Sequence, residues 1–150
     1  MFYYSFQVVF KEVPKHISLC FSICGCPLRC KGCHSPFLFK NENGKKLYKP
    51  DYVKKLKSYQ NLATCVLFMG GEWEQEALID FLRIAKQHHY KTCLYTGLNH
   101  VDLSISQYLD YLKTGSWQAS LGGLESRQTN QRFTELATGK ILNSYFQKNT

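Results

Sequence analysis

Three cysteines lie close together in one short segment and have the residue type and spacing to bind metal. Residues 25–34 read GCPLRCKGCH, so Cys26, Cys30 and Cys33 follow the pattern C-x3-C-x2-C. Three thiolates at this separation can bind three irons of a cubane [4Fe-4S] cluster and leave the fourth iron without a protein ligand. A reactive metal site needs such an open position, whereas a structural site closes all of its positions. The spacing therefore favours a [4Fe-4S] cluster held by these three residues.

A structural zinc site is the alternative. Cys24 could join the other three cysteines and complete a tetrahedral cage. Strand alternation places Cys24 before the loop begins, and the chain has no second C-x2-C pair with the spacing of a zinc ribbon. The two interpretations differ in whether one metal position stays open.

A second motif, Gly70-Gly71-Glu72, directly follows Cys65 to Met69, a continuous apolar run that is expected to be a buried parallel strand. Glycines let the main chain come close to a ligand, so that its carbonyls can accept hydrogen bonds from an ammonium group. The Glu72 carboxylate adds negative charge near such a cation. Such a turn could hold a cationic ligand, although many ordinary turns have the same three residues.

Alternation along Ile17 to Ile23 predicts the strand that leads into the cysteine loop. Ile17, Leu19, Phe21 and Ile23 form a bulky face that should meet covering helices, whereas the opposite face carries only serines and cysteines. Further strands are expected at Phe6 to Phe10, Thr92 to Tyr95 and Tyr108 to Lys113. Helices are expected at Asp51 to Tyr59 and Glu74 to His88.

This order of strand, loop and helix predicts a single α/β domain over residues 1–150, a partial (β/α) barrel with a mainly parallel sheet. Ligands bind such sheets at the carboxyl ends of the strands. The cysteine loop and the Gly-Gly-Glu turn both follow strand ends, so we expect them to form one site.

Composition limits the class of protein. No apolar run approaches the roughly 20 residues of a membrane span, and the N-terminal residues lack a secretory pattern. Seven cysteines, an odd number, argue against a disulfide framework. We expect a cytoplasmic protein with no membrane association. The net charge is +8, and the basic residues are scattered apart from small clusters at Lys45-Lys46 and Lys54-Lys55-Lys57. No stripe of arginine alternates with aromatic residues, so nucleic acid is not expected. The charge is a solvated face or a docking surface for an acidic protein or electron donor.

The cysteine spacing and the Gly-Gly-Glu turn together resemble the radical S-adenosylmethionine (SAM) superfamily. The resemblance implies that the open iron binds SAM, whose reductive cleavage gives a 5′-deoxyadenosyl radical. It also implies that Gly32, Cys33 and His34 lie against the nucleoside, beside the Gly70 to Glu72 turn. Many members have an aromatic residue where this chain has Gly32; the His34 ring could replace it, or could be a solvent-facing loop residue.

Further segments, from the first strand to Thr129-Asn130-Gln131-Arg132, are similar to the activating proteins of anaerobic, class III ribonucleotide reductase. That family abstracts hydrogen from a glycine of the reductase catalytic subunit and is reduced by a flavodoxin-like donor. Asp110 and Lys113 are expected at one strand end, and the resemblance implies cofactor contacts for both and for Asn130. The alternatives are a surface ion pair between Asp110 and Lys113 and a structural turn at Asn130. The rival functions are activation of another glycyl radical enzyme, such as pyruvate formate-lyase, and a non-catalytic zinc module.

The other four cysteines fall on predicted strands. Cys20, Cys24, Cys65 and Cys93 are expected to pack as small hydrophobic side chains.

Overall fold

The computed structural model describes residues 1–28 and 40–147. Its strands are β1 (Phe2–Val9), β2 (Ser18–Ile23), β3 (Lys45–Lys46), β4 (Cys65–Met69), β5 (Lys91–Tyr95), β6 (Tyr111–Thr114), β7 (Arg132–Glu135) and β8 (Lys140–Ile141). Its α-helices are α1 (Lys49–Ser58), α2 (Gln75–Gln87) and α3 (Leu103–Ser106). Short 3-10 turns occupy Asn41–Asn43 and Asn143–Phe146.

The described strands form one eight-stranded sheet in the order β3-β1-β2-β4-β5-β6-β7-β8. The four central strands, β2, β4, β5 and β6, are parallel, and the outer strands pair antiparallel with their neighbours. Within residues 1–28 and 40–147, β3 and β8 are open edges and the sheet does not close. The predicted α/β fold with a mainly parallel sheet and an incomplete barrel is confirmed.

The two faces of the sheet carry different side chains, as the alternation along β2 predicted. Leu19, Phe21 and Ile23 are fully buried on the face covered by the helices. Phe21 stacks on Phe68 of β4, with ring centroids 5.5 Å apart. Ile17 is an exception, because it precedes the strand and is 38% exposed.

The opposite face has small residues at its centre. Cys20, Cys65 and Cys93 are buried there on three neighbouring strands. Phe133 of β7 and Leu124 pack against them and supply the volume that the thiols lack. Cys24, just after β2, is also buried, so the predicted packing of all four cysteines is confirmed.

Helix α2 covers the sheet with the apolar stripe predicted for it. Leu78, Phe81, Leu82 and Ala85 are buried, at the spacing of one helix face. The Tyr52 hydroxyl of α1 donates to the Phe81 carbonyl at 2.8 Å, which joins the two helices. Of the helices in the described part of the chain, none combines the length and apolar character needed to cross a membrane.

Candidate functional site

The carboxyl ends of β2, β4, β5 and β6 lie along one edge of the sheet because these strands are parallel. The segment that follows β2 crosses this edge. A Cβ built on Gly97, just past β5, would lie 2.5 Å from the Leu28 Cδ1 atom. The start of the cysteine loop therefore lies over the ends of neighbouring strands.

Cys26 is half-buried at the start of this loop. Cys30, Gly32, Cys33 and His34 lie outside the described residues. Within the ranges 1–28 and 40–147, no three His, Cys, Asp or Glu side chains are grouped to hold a metal ion. Cys20, Cys65 and Cys93 thus do not form a metal centre of their own.

The Gly-Gly-Glu turn meets the cysteine loop through Trp73. Gly70 and Gly71 adopt φ values of +89° and +114°, which favour glycine. A Cβ on Gly70 would lie 2.5 Å from the Trp73 Cη2 atom, so the indole packs directly on this glycine. The indole Nε1 lies 3.2 Å from a Cβ built on Gly25, the residue before Cys26. One indole therefore spans the two predicted motifs.

One carboxylate oxygen of Glu72 accepts a hydrogen bond, and the other has no partner among the described residues. Its Oε1 accepts a hydrogen bond from the Thr96 hydroxyl at 2.6 Å. Its Oε2 is buried and has no hydrogen-bond partner among the described residues. Burial raises the pKa of Glu72 above its ordinary value, and the Thr96 hydrogen bond and the Lys113 charge partly oppose this rise. An unpaired buried carboxylate oxygen is suited to accept from a cationic ligand.

Lys113 and Asn130 lie at the same edge of the sheet. The Lys113 ammonium donates to the Thr96 carbonyl at 3.3 Å and to the Gly115 carbonyl at 3.1 Å. The Asn130 amide donates to the Ser116 carbonyl at 3.0 Å, while its Oδ1 is buried without a partner among the described residues. The structure therefore brings Glu72, Lys113 and Asn130 together around the ends of β5 and β6.

Asp110 lies elsewhere. It precedes β6, at the amino-terminal edge of the sheet, whereas Lys113 lies near the carboxyl end of the same strand. Its carboxylate accepts from the Thr92 amide at 2.9 Å and pairs with the Lys86 ammonium. The expectation that Asp110 and Lys113 share one strand end is corrected by this placement. Asp110 forms an ion pair with Lys86, whereas the alternative had paired it with Lys113.

A cleft of about 460 Å³ opens on the sheet face away from the helices. Its walls include Tyr95, Lys113 and Gln131 from the carboxyl edge, and Glu12, Trp117 and Glu125 from the surrounding loops. The Tyr95 hydroxyl donates to the Glu12 carbonyl, which fixes the loop between β1 and β2 on one wall. The cleft leaves room for a large ligand beside Lys113.

Thr96 is the site residue to which sequence reasoning assigned no role. Its hydroxyl donates to Glu72 and accepts from the Leu98 amide at 3.1 Å, so the Thr96 side chain is fixed by two bonds. The signal that could have identified it is its position directly after β5, at the edge that carries the other motifs.

The residues present fit a cluster and a cationic cofactor. Cys26 supplies a thiol at the carboxyl edge, and the sequence has two more thiols within the next seven residues. Glu72 Oε2 and Asn130 Oδ1 are unpaired acceptors of the kind that an ammonium or hydroxyl group satisfies. The site therefore combines soft metal donors with buried oxygen acceptors.

Comparison with known proteins gives two matches. A family model described as "4Fe-4S single cluster domain" matches residues 17–135. The pyruvate formate-lyase-activating enzyme of Clostridium pasteurianum is 33% identical over 95 residues, which cover 53% of this chain and 40% of that enzyme. The match thus spans less than half the length of that relative.

Proposed function

The chain belongs to the family of 4Fe-4S single cluster domains, and on this premise we propose that it is a radical SAM activase. Cys26, Cys30 and Cys33 hold one [4Fe-4S] cluster with an open iron. When bound, such a cluster would supply the electron for reductive cleavage of SAM, the chemistry that would remove hydrogen from a glycine of a protein substrate. This makes the chain an oxidoreductase that installs a glycyl radical.

The observation that carries the proposal is the buried, unpaired Glu72 Oε2 beside the start of the cysteine loop. The Gly70 to Glu72 turn and Gly25 contact the same indole, so a cofactor on the cluster would lie within reach of this turn. A closed zinc site, the alternative, would leave Glu72 Oε2 without a hydrogen-bond partner. A cationic cosubstrate satisfies it.

The protein's own residues bind and orient that cosubstrate. The Gly70 and Gly71 main chain approaches the ammonium group, and Glu72 accepts a hydrogen bond from it. Thr96 holds the carboxylate of Glu72 in place. Asn130 offers its Oδ1 to a ribose hydroxyl or to the ammonium. Gly32 to His34 are outside the described residues, and their proposed role is to contact the nucleoside. Each contact positions the substrate before any bond breaks.

For the protein substrate we propose the catalytic subunit of anaerobic, class III ribonucleotide reductase. The segment Asn130-Gln131 supports this choice, because it carries the resemblance and lies at the site. Gln131 is buried and donates to the Gly115 carbonyl at 3.3 Å, the atom that also accepts from Lys113. The cleft beside Lys113 would receive the glycine-bearing loop.

Pyruvate formate-lyase is the second candidate substrate, and one observation favours it. The curated relative is the enzyme that activates pyruvate formate-lyase, and it is 33% identical over the matched region. Both candidates use the same cluster chemistry and differ in the partner that docks.

The proposal also includes a reducing, cytoplasmic location and a flavodoxin-like electron donor. Seven cysteines, and a proposed cluster with one iron that lacks a protein ligand, suit a compartment that keeps thiols reduced.

Anaerobic purification tests the cluster. We expect a brown protein with about four irons and a cluster with one open iron. With a chemical reductant and SAM it should form 5′-deoxyadenosine and methionine. A colourless protein with one tightly bound zinc would contradict the proposal and support the zinc module.

A pair of cysteine variants provides the matched comparison. Cys30→Ala should lose the cluster and all SAM cleavage, because it removes a proposed ligand. Cys93→Ala should keep both, because Cys93 is fully buried on the sheet. Equal behaviour of the two variants would disprove the ligand assignment.

Mixing with each candidate partner identifies the protein substrate. The reduced, SAM-loaded chain is incubated with the reductase subunit or with pyruvate formate-lyase, and the glycyl radical doublet is recorded by EPR. The proposal requires the doublet on the reductase. A doublet on pyruvate formate-lyase alone would assign the second candidate.

A further inference from the structure

We propose that the lysine-rich surface formed by residues 40–57 is the docking site of a small acidic protein that delivers single electrons to the site. The inference rests on the proposed function, since it assumes a cluster at Cys26. It adds the surface by which the reductant is recognised.

This surface carries a large share of the net charge of the chain. Residues 40–57 contain seven lysines and two acids, Glu42 and Asp51, so their net charge is +5 of the total of +8. The lysines are Lys40, Lys45, Lys46, Lys49, Lys54, Lys55 and Lys57. The other residues of the chain include 12 basic and 9 acidic side chains and carry the remaining +3.

The surface lies beside the start of the cysteine loop. A Cβ on Gly44 would lie 2.5 Å from the Cys24 sulfur, and a Cβ on Gly25 would lie 2.6 Å from the Asn41 Oδ1 atom. Strand β3 follows Gly44 directly and pairs with β1 at the sheet edge. Lys45, next to Gly44, therefore lies close to the two residues that precede Cys26. Lys54 of α1 lines a surface cavity together with Tyr3, the residue of β1 that pairs with Lys45.

Several of these lysines are available for a partner. Lys45, Lys54 and Lys57 are exposed, and the ion pairs of the described residues give them no carboxylate. Lys49 is different, because it pairs with Asp80 at 3.2 Å. An array of cations without ion-pair partners beside the proposed cluster attracts an anionic protein and orients it on approach.

The electron balance defines the partner. One electron leaves the reduced carrier, which is oxidised by one electron, and enters the cluster, with no transfer of atoms. The carrier must bring its redox group close to Cys26, so its binding face is expected to be acidic around that group.

Charge reversal on the surface is the test. Two variants reverse a charge on the proposed surface: Lys45→Glu on β3 and Lys54→Glu on the exposed side of α1. The control, Lys140→Glu, makes the same change in charge on β8, at the opposite edge of the sheet. Lys45→Gln is a milder variant should the reversed charge disturb β3. All variants are prepared with the cluster and checked for iron content.

The first measurement is the second-order rate constant for reduction of the cluster by reduced flavodoxin, recorded by stopped flow at low salt. The second is the dissociation constant of the complex with oxidised flavodoxin. Each surface variant should slow reduction about 3- to 10-fold and weaken binding by a similar factor, whereas the control should change less than about 2-fold. The difference should disappear near 0.5 M salt because screening removes steering. Reduction by an uncharged deazaflavin photoreductant should be equal in all variants.

The inference is overturned if the surface variants and the control slow reduction equally, because the effect would then be one of net charge alone. It is also overturned if the surface variants lose affinity for single-stranded DNA or for the glycyl radical protein while flavodoxin reduction is unchanged. The absence of any cluster in the wild-type protein would instead defeat the proposed function.

Discussion

Replacement of Glu72 by glutamine tests the proposed cofactor site directly. The glutamine side chain would keep an oxygen that accepts from the Thr96 hydroxyl but would lack the charge of Oε2. A hydrogen bond to a charged group contributes about 1.5–3 kcal/mol. Loss of that bond to the SAM ammonium should therefore weaken SAM binding about 10- to 150-fold, since about 1.4 kcal/mol corresponds to a factor of ten.

The assay is isothermal titration of SAM into the oxidised, cluster-loaded protein. Glu76→Gln is the matched control, because Glu76 is exposed on the first turn of α2 and its replacement makes the same change in charge. This control should bind SAM like the wild type, and both variants should retain their iron. Wild-type affinity in Glu72→Gln would refute the role of Glu72.

The same variant has a defined pH dependence. Because burial raises the pKa of Glu72 above its ordinary value of 4.5, the folded chain binds this proton more tightly than the unfolded chain does. This contribution to stability is complete below pH 4.5 and is lost as pH rises through the raised pKa. Glu72→Gln should lack that loss, so its thermal midpoint relative to wild type should rise with pH. A constant difference between about pH 4.5 and 8 would contradict the buried charge.

Three further outcomes are expected. Thr96→Val should weaken SAM binding about 2- to 10-fold in the same titration, because Glu72 loses its positioning hydrogen bond, and Thr96→Ser should restore it. Phe133→Ala should lower the free energy of unfolding by about 3–5 kcal/mol in denaturant titrations, because this fully buried ring packs against three aromatic rings; a loss below about 1 kcal/mol would contradict that packing. Burial raises the pKa of the Cys20 and Cys65 thiols to about 12, so iodoacetamide at about pH 8 should modify them only after unfolding, as read by mass spectrometry; fast modification of the folded chain would show that the thiols are accessible.

Strands with strong local patterns could be predicted from the sequence. The run Cys65 to Met69 was predicted as a buried strand and is β4, because a strand covered on both faces needs apolar residues at every position. The alternation along β2 likewise predicted which side chains meet the helices. Burial alone determines both patterns, so one sequence suffices to find them.

Pairing partners and contacts between distant segments could not be predicted in this way. The first strand was predicted at Phe6 to Phe10 but is Phe2–Val9, because its amino-terminal half is held by pairing with β2 and β3. Strand β7 was not predicted, since its four residues gain their order from the antiparallel register with β6. The error for Asp110 has the same origin: β6 begins at Tyr111, one residue after it.

The candidate site was predictable as a set of motifs but not as an arrangement. The Gly-Gly-Glu turn could be placed because it follows a clear strand. The Glu72 to Thr96 hydrogen bond joins residues 24 positions apart and depends on the parallel register of β4 and β5. No local pattern encodes such a register, so the structure was needed to find Thr96.

The two outermost strands have a consequence for self-association. Strands β3 and β8 are only two residues long and each carries exposed lysine, Lys45 and Lys46 on one side and Lys140 on the other. An unpaired strand offers its amides and carbonyls to a second copy of the chain, and short charged strands prevent this by mutual repulsion. The sheet is thereby protected against growth into aggregates from both sides. Uncharged residues in place of the lysines at both edges would be expected to speed aggregation at high protein concentration.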